Sequence, residues 1–346
     1  MAVKQDFEAL YFKAAFCLTS ENMSDFTPVS RTLGVDVTNG MGTVFTALGA
    51  RYEMRYVAEE GFLATDSYEA DTRSIDGVPV SEVMRYVRGE TIREDTVPEK
   101  YKQFVVDVKE GKSVYADYET CRFGEENASV LYLISPAAKE PKQSATLFSK
   151  LVEKVGKTTY ATNEFGDCGY LMLQLEFYKE LEQKTSALKA MIDKYDEIVT
   201  DDQFVLDALL VQLEDRADKI RFIDEFIFEN KDKLAVQAEG KKIAIHESGI
   251  INRLYPLRRV DYGEIFKGAE IVYPARSGFD VSDCGIAGGL GIANETVLKV
   301  VSKRRIKDLR ALDADEIISP CAAEKTGLEM SDTVQVNSLL ECIATF

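Results

Sequence analysis

A single histidine, His246, serves all 346 residues, and tryptophan is absent. One imidazole excludes a multi-histidine metal centre and leaves histidine-based acid–base devices one candidate. A Ser-His-Asp triad would have to use His246, which lies in Ile243-Ala244-Ile245-His246-Glu247-Ser248-Gly249 with no nucleophile elbow nearby. Phosphate-cradling loops are missing too: no GxGxxG follows a strand pattern and no GxxxxGK[ST] occurs. Positive charge is scarce, with 42 Lys+Arg against 59 Asp+Glu and a net charge of −17, which argues against nucleic acid or anionic membrane as a partner. No apolar run approaches the roughly 18–20 residues that a bilayer span needs. Lys4, Asp6, Glu8 and Lys13 break up the apolar residues of the N-terminus, so a signal-peptide pattern is not expected. Together these absences point to a cytoplasmic protein. Six cysteines are too few to staple a chain of this length and are expected as free thiols or ligands.

What is present is ordinary globular composition, 45% hydrophobic and 29% charged, with enough length for about two or three domains. The order of patterns repeats in the last two thirds. A strand pattern at Val130 to Ile134 leads to Ser135-Pro136-Ala137 and a helix through Leu147 to Val155. A loop ending Asp167-Cys168-Gly169 comes next, then an amphipathic helix from Tyr178 to Tyr195 and a strand, Glu197 to Thr200, that runs into Asp201-Asp202-Gln203-Phe204 and a helix. The second copy has a strand at Lys242 to His246, Glu247-Ser248-Gly249, and a loop ending Asp283-Cys284-Gly285. It continues with the glycine run Ile286 to Gly291, a basic helix from Glu295 to Leu309, a strand at Glu316 to Ser319, and Pro320-Cys321-Ala322-Ala323-Glu324. Strand, loop, helix and strand in the same order at nearly equal spacing imply duplicated α/β modules whose strand C-termini carry the named loops. The N-terminal region differs, because Val83, Met84, Val87 and then Phe104, Val105, Val108 recur at helical spacing. The polar stretch from Lys109 to Asn127 is a natural boundary. The expected fold class is therefore α/β: a mostly helical N-terminal domain over 1–125 and two modules over 128–236 and 240–346.

Those loops resemble the cysteine-rich CCG domain, in which strand–Cys, Cys-Cys-Gly and strand–Cys-x-x-Cys occur in that order, twice. Asp167-Cys168-Gly169 and Asp283-Cys284-Gly285 look like Cys-Cys-Gly with Asp for the first cysteine, and Gly285 to Gly291 resembles the glycine run that follows it. His246-Glu247-Ser248-Gly249 is similar to His-Asp-Pro-Cys, with Gly249 in the cysteine's place. Cys321 to Glu324 is similar to Cys-x-x-Cys, with Glu324 replacing the second thiol; in the first module Asp202 and Val205 occupy both positions. At the N-terminus Cys17, Ser20, Met23, Thr27 and Pro28 have the spacing of a ferredoxin cluster motif, repeated by Tyr68, Asp71, Ser74, Val78 and Pro79. The whole resembles a fusion of heterodisulfide reductase C and B subunits, similar also to the ferredoxin-like, CCG-containing component of anaerobic glycerol-3-phosphate dehydrogenase and to lactate-utilisation proteins.

The resemblance implies a degenerate member. Cubane clusters take four thiolates as a rule, and too few remain here, so no iron–sulfur cluster is expected. A vestigial pocket of Cys168, Asp283, Cys284, Cys321, Glu324 and His246 is implied, in which Cys284 and Cys321 could hold one zinc or iron ion. No catalytic residue is assigned. Each feature also has a plainer meaning: buried thiols, loop-capping aspartates, a hydrogen-bonded histidine and a tight glycine turn. The basic residues Lys299, Lys303, Arg304, Arg305 and Lys307 read as a solvated helix face or a docking surface. Cys17, Cys121 and Cys342 have no partner spacing. The expected role is a non-catalytic assembly subunit of a heterodisulfide reductase-like complex, its partners being cluster-bearing paralogues or flavin or iron–sulfur subunits. The alternative is a metal- or thiol-dependent oxidoreductase or electron-transfer protein using the second pocket.

Overall fold

Val130-Leu131-Tyr132-Leu133 is apolar at every position and buried on both faces, which is the signature of a strand inside a parallel sheet. The computed structural model describes residues 58–63, 65, 68–73, 79–116, 118–331 and 334–345. Around that strand, β2, lie β1 (Arg122–Gly124), β3 (Thr159–Thr162), β4 (Glu197–Thr200) and β5 (Ile220–Phe222), in the order β1-β3-β2-β4-β5. All pairs are parallel except β1 with β3. A short pair, β6 (Val236–Gln237) with β8 (Phe266–Lys267), stands apart. The second sheet contains β7 (Lys242–Ile245), β9 (Glu270–Val272), β10 (Glu316–Ser319) and β11 (Asn337–Ser338) in the order β11-β10-β7-β9, all parallel. Read from its other edge, this order repeats β3-β2-β4-β5, so the duplication seen in the spacing of loops is also a duplication of strand order. The architecture is α/β.

The helices follow from their stripes and ends. Pro141–Lys154 starts on a proline, whose missing N–H is harmless in the first turn, and buries Ala145, Phe148, Leu151 and Val152. Gln203–Gln212 is buried on nearly every face and is capped by Asp202, which accepts from Phe204 N at 2.9 Å. Before residue 110 every described element is a helix, including Val80–Arg93 and Glu99–Lys109. No helix among the described residues is long and apolar enough to cross a membrane.

Several boundaries differ from the sequence reading. The helix expected through Leu147 to Val155 runs from Pro141 to Lys154, and the one expected to reach Tyr195 ends at Ile192. The polar stretch after Lys109 contains β1, which adds an antiparallel edge to the first sheet. Its register places Phe123 opposite Ala161. Three residues with one apolar side chain leave no period to detect. The first ferredoxin-like spacing, Cys17 to Pro28, lies outside the described residues, as do Ser74 and Val78 of the second.

The two sheets meet at the carboxyl ends of their strands. Ala322 N, after β10, donates to Asp201 O, after β4, at 2.8 Å. Thr326 Oγ1 donates to Ala137 O at 2.8 Å. One cluster of buried apolar residues runs through both halves. At the junction the glycine run is itself buried. Gly288 has φ +63°, and a Cβ there would come within 2.6 Å of the Tyr170 ring and 3.0 Å of Phe204 Cβ, so the bare backbone is what lets the halves close. Gly288→Ala should therefore lower stability in urea unfolding by about 3 kcal/mol. Gly156→Ala, at φ +79° with open space around the new Cβ, should cost only about 1 kcal/mol. Equal losses at the two sites would show that the junction is not packed as described.

Candidate functional site

His246 follows β7 directly, its N–H still pairing with Ile318 O at 2.8 Å, so the strand delivers the ring to the sheet's carboxyl edge. Glu324 stands in the first turn of the helix Ala322–Glu329, launched from β10. The loop after β9 brings in Cys284. These three meet. His246 Nε2 lies 2.9 Å from Glu324 Oε2, and Cys284 N donates to the same oxygen at 2.9 Å. Gln203 Nε2, from the first module, donates to Glu324 Oε1 at 3.3 Å. All of these side chains are buried, His246 and Glu324 completely. Burial by itself pushes the Glu324 carboxyl up, but the bonds from His246 and Cys284 hold it below the ordinary carboxylate range.

The ring's protonation pattern follows from its neighbours. Arg305 Nε lies 3.1 Å from His246 Nδ1. A guanidinium only donates, so Nδ1 must accept, which assigns the ring proton to Nε2 and directs it at Glu324. Arg305, read from the sequence as part of a solvated basic face, is instead buried. A signal was there: Arg305 falls on the apolar stripe of its helix with Leu298, Val301 and Ile306, where a charged residue needs a buried partner. No comparable mark singles out Gln203, which also donates its backbone N–H toward Cys321 Sγ at 3.5 Å and accepts from Ile250 N at 2.9 Å.

The other expected pocket residues divide. Asp283 turns to Gly249 N at 3.1 Å and Arg253 Nη1 at 2.9 Å; burial raises its pKa against the pull of that guanidinium. Cys321 is buried, which pushes its thiol well above the ordinary value. Cys168 belongs to the first module's loop, in a left-handed conformation with φ 53°, and burial pushes its thiol up to about 12. Asp167 accepts from Gly169 N at 2.9 Å and Leu171 N at 2.8 Å, capping its own loop. Cys121 is buried, and Cys342 Sγ lies 3.0 Å from Glu316 Oε2.

In the first module the positions matching Cys321 and Glu324 are Asp202 and Val205. Asp202 Oδ2 accepts from Ser135 Oγ at 2.6 Å, and Asp201 Oδ1 accepts from Ser135 N at 2.9 Å, so the ends of β2 and β4 are tied together. Burial, opposed by the Ser135 hydroxyl, raises Asp202 to about 7; it also raises Asp201 to about 6.

A zinc or iron ion at Cys284 and Cys321 does not fit this arrangement. Both nitrogens of His246 are engaged, Glu324 already accepts three hydrogen bonds, and Asp283 is held by Arg253. Two guanidiniums border the cluster, and like charge opposes a divalent cation. Among the described residues no group of three or more His, Cys, Asp and Glu side chains is placed to hold a metal ion.

No protein-family model matches the sequence, and no curated protein matches it. Among solved structures it is similar to the crystal structure of a hypothetical protein from Helicobacter pylori, 11% identical with a TM-score of 0.56. The match covers 98% of this chain and 76% of that one. At this identity the likeness is one of fold alone.

Two outcomes follow from the site. Glu324→Ala leaves the Cys284 N–H, the Gln203 amide and the imidazole N–H without an acceptor, so stability should fall by about 3–5 kcal/mol in denaturant titration. A loss below about 1 kcal/mol would mean that water replaces the carboxylate and the cluster is not closed. Asp202 holds its proton more tightly folded than unfolded, so its contribution is complete below about pH 4 and lost as pH rises to about 7. Unfolding midpoints should therefore decline from pH 5 to 7.5 more steeply in the wild type than in Asp202→Asn. Parallel profiles would show that Asp202 is ionised throughout.

Proposed function

We propose that the protein is a non-catalytic assembly subunit of a heterodisulfide reductase-like redox complex in the cytoplasm, without iron–sulfur clusters of its own. The observation that carries this reading is the filling of the ligand positions by internal bonds. Where the CCG pattern has thiolates and an available histidine, this chain has His246 held between Arg305 and Glu324, and Asp202 tied to Ser135. A buried carboxylate supplied with donors in this way keeps a fold's shape without an electron carrier at its centre. The duplicated strand order supports the same reading, because a shape retained without its ligands is what a docking subunit requires. Its partners would be a cluster-bearing paralogue or the flavin or iron–sulfur subunit of the complex.

The test is tagged protein isolated from its native host without oxygen, followed by iron, zinc and acid-labile sulfide per chain after the bait is separated from co-purifying proteins. The expected result is well under one of each on the bait itself, with an iron- or flavin-bearing protein retained. Cys284→Ser and Cys321→Ser should retain that protein equally well. Several irons with sulfide on the bait, or loss of a metal or thiol-dependent activity in either variant, would overturn the reading in favour of an oxidoreductase using the second-module pocket.

A further inference from the structure

With the β4 and β10 ends pressed together, an open cavity remains at the carboxyl end of β2 and β3. It has a volume of about 360 Å³ and lies between the stretch after Glu99–Lys109, Pro136 after β2, the loop after β3, and the helices Tyr170–Gln174 and Tyr178–Ile192. Such a volume is at the small end of small-molecule pockets, and the carboxyl edge of parallel strands is where α/β sheets present ligands.

The lining joins an apolar wall to a polar side that carries two lysines, of which Lys112 is exposed and Lys184 largely withdrawn from solvent. Val108, Val114, Pro136, Leu171 and Met172 form the wall, with Tyr115 beside them. Lys184 enters from the helix Tyr178–Ile192 with its side chain largely withdrawn from solvent, 17% exposed. Its ammonium meets Asp167 Oδ1 at 3.2 Å. That carboxylate already accepts two backbone N–H groups, which dilutes its hold on Lys184. Of the three N–H bonds of the ammonium, only one is directed at Asp167. The other acidic residue of the lining, Glu164, is paired with Arg122 on the outer side. Lys112 is paired with Glu110 at 2.6 Å.

We propose that this cavity binds a small organic acid, its carboxylate on Lys184 Nζ and its apolar body against Val108, Val114, Leu171 and Met172. A phosphate dianion would call for several converging donors; with Lys112 turned to Glu110, Lys184 is the withdrawn cation of the lining, a point charge suited to one carboxylate. This inference is independent of the assembly role, since it concerns the first module's edge and not the sealed cluster of the second.

The test is calorimetric titration of the full chain with 4-phenylbutyrate, 4-methylvalerate and octanoate, and with 4-phenylbutyramide as the uncharged control. At least one acid should bind with a Kd of about a millimolar or tighter, the matching amide about tenfold more weakly. Lys184→Met leaves both backbone bonds of Asp167 in place and should remove the preference for acid over amide. Thr120→Trp, at an exposed position on the lining, should block all binding while leaving the fold intact. The proposal is overturned if no acid binds, if acid and amide bind alike to the wild type, or if Thr120→Trp leaves binding unchanged.

Discussion

The carboxylate of Glu324 is ionised, fully buried and bonded from three separate parts of the chain: the ring after β7, the backbone at Cys284, and the Gln203 amide from the other module. A charge in such a place is tolerated only when its donors are all present, because the desolvation cost returns as soon as one is lost. Much of the rest of the structure can be understood as arranging those donors. Arg305 fixes the tautomer that lets His246 donate, and Gln203 reaches Glu324 only because Ala322 and Asp201 hold the two strand ends together. The glycine run lets the halves approach closely enough for this to happen.

Parallel α/β sheets ordinarily leave a crevice where connections depart in opposite directions from neighbouring strands. Here that point lies between β2 and β4 in one half and between β7 and β10 in the other. There the two halves meet, through Ala322 N on Asp201 O and Thr326 Oγ1 on Ala137 O. The consequence is a molecule in which three thiols and the only histidine are buried, while an open concavity lies to one side on the β3 edge.

The sequence was legible where a residue's environment follows from its neighbours in the chain. β4 and β10 appear at their observed limits because Glu197 to Thr200 and Glu316 to Ser319 are short apolar runs between charged turns. β1, β3 and β11 were not legible: two to four residues of mixed character carry no period, and only pairing with a neighbouring strand makes them strands. Cysteine spacing pointed to the loops after β3, β9 and β10 but not to the bonds their residues make. His246 and Glu324 were rightly placed near one another, whereas Arg305 was assigned to solvent.

By itself, the sequence determined the α/β class, the doubled order of strands and loops, and the scarcity of cysteine and histidine. These are properties of composition and local pattern, set by burial on one or both faces of an element. Tertiary structure alone decided the protonation pattern of His246, the burial of Arg305 and the meeting of the two halves at their strand ends. His246 and Arg305 are 59 residues apart, and Gln203 and Glu324 are 121 apart. Which donor arrives at a buried acceptor depends on how two modules pack, and no periodicity along the chain encodes that.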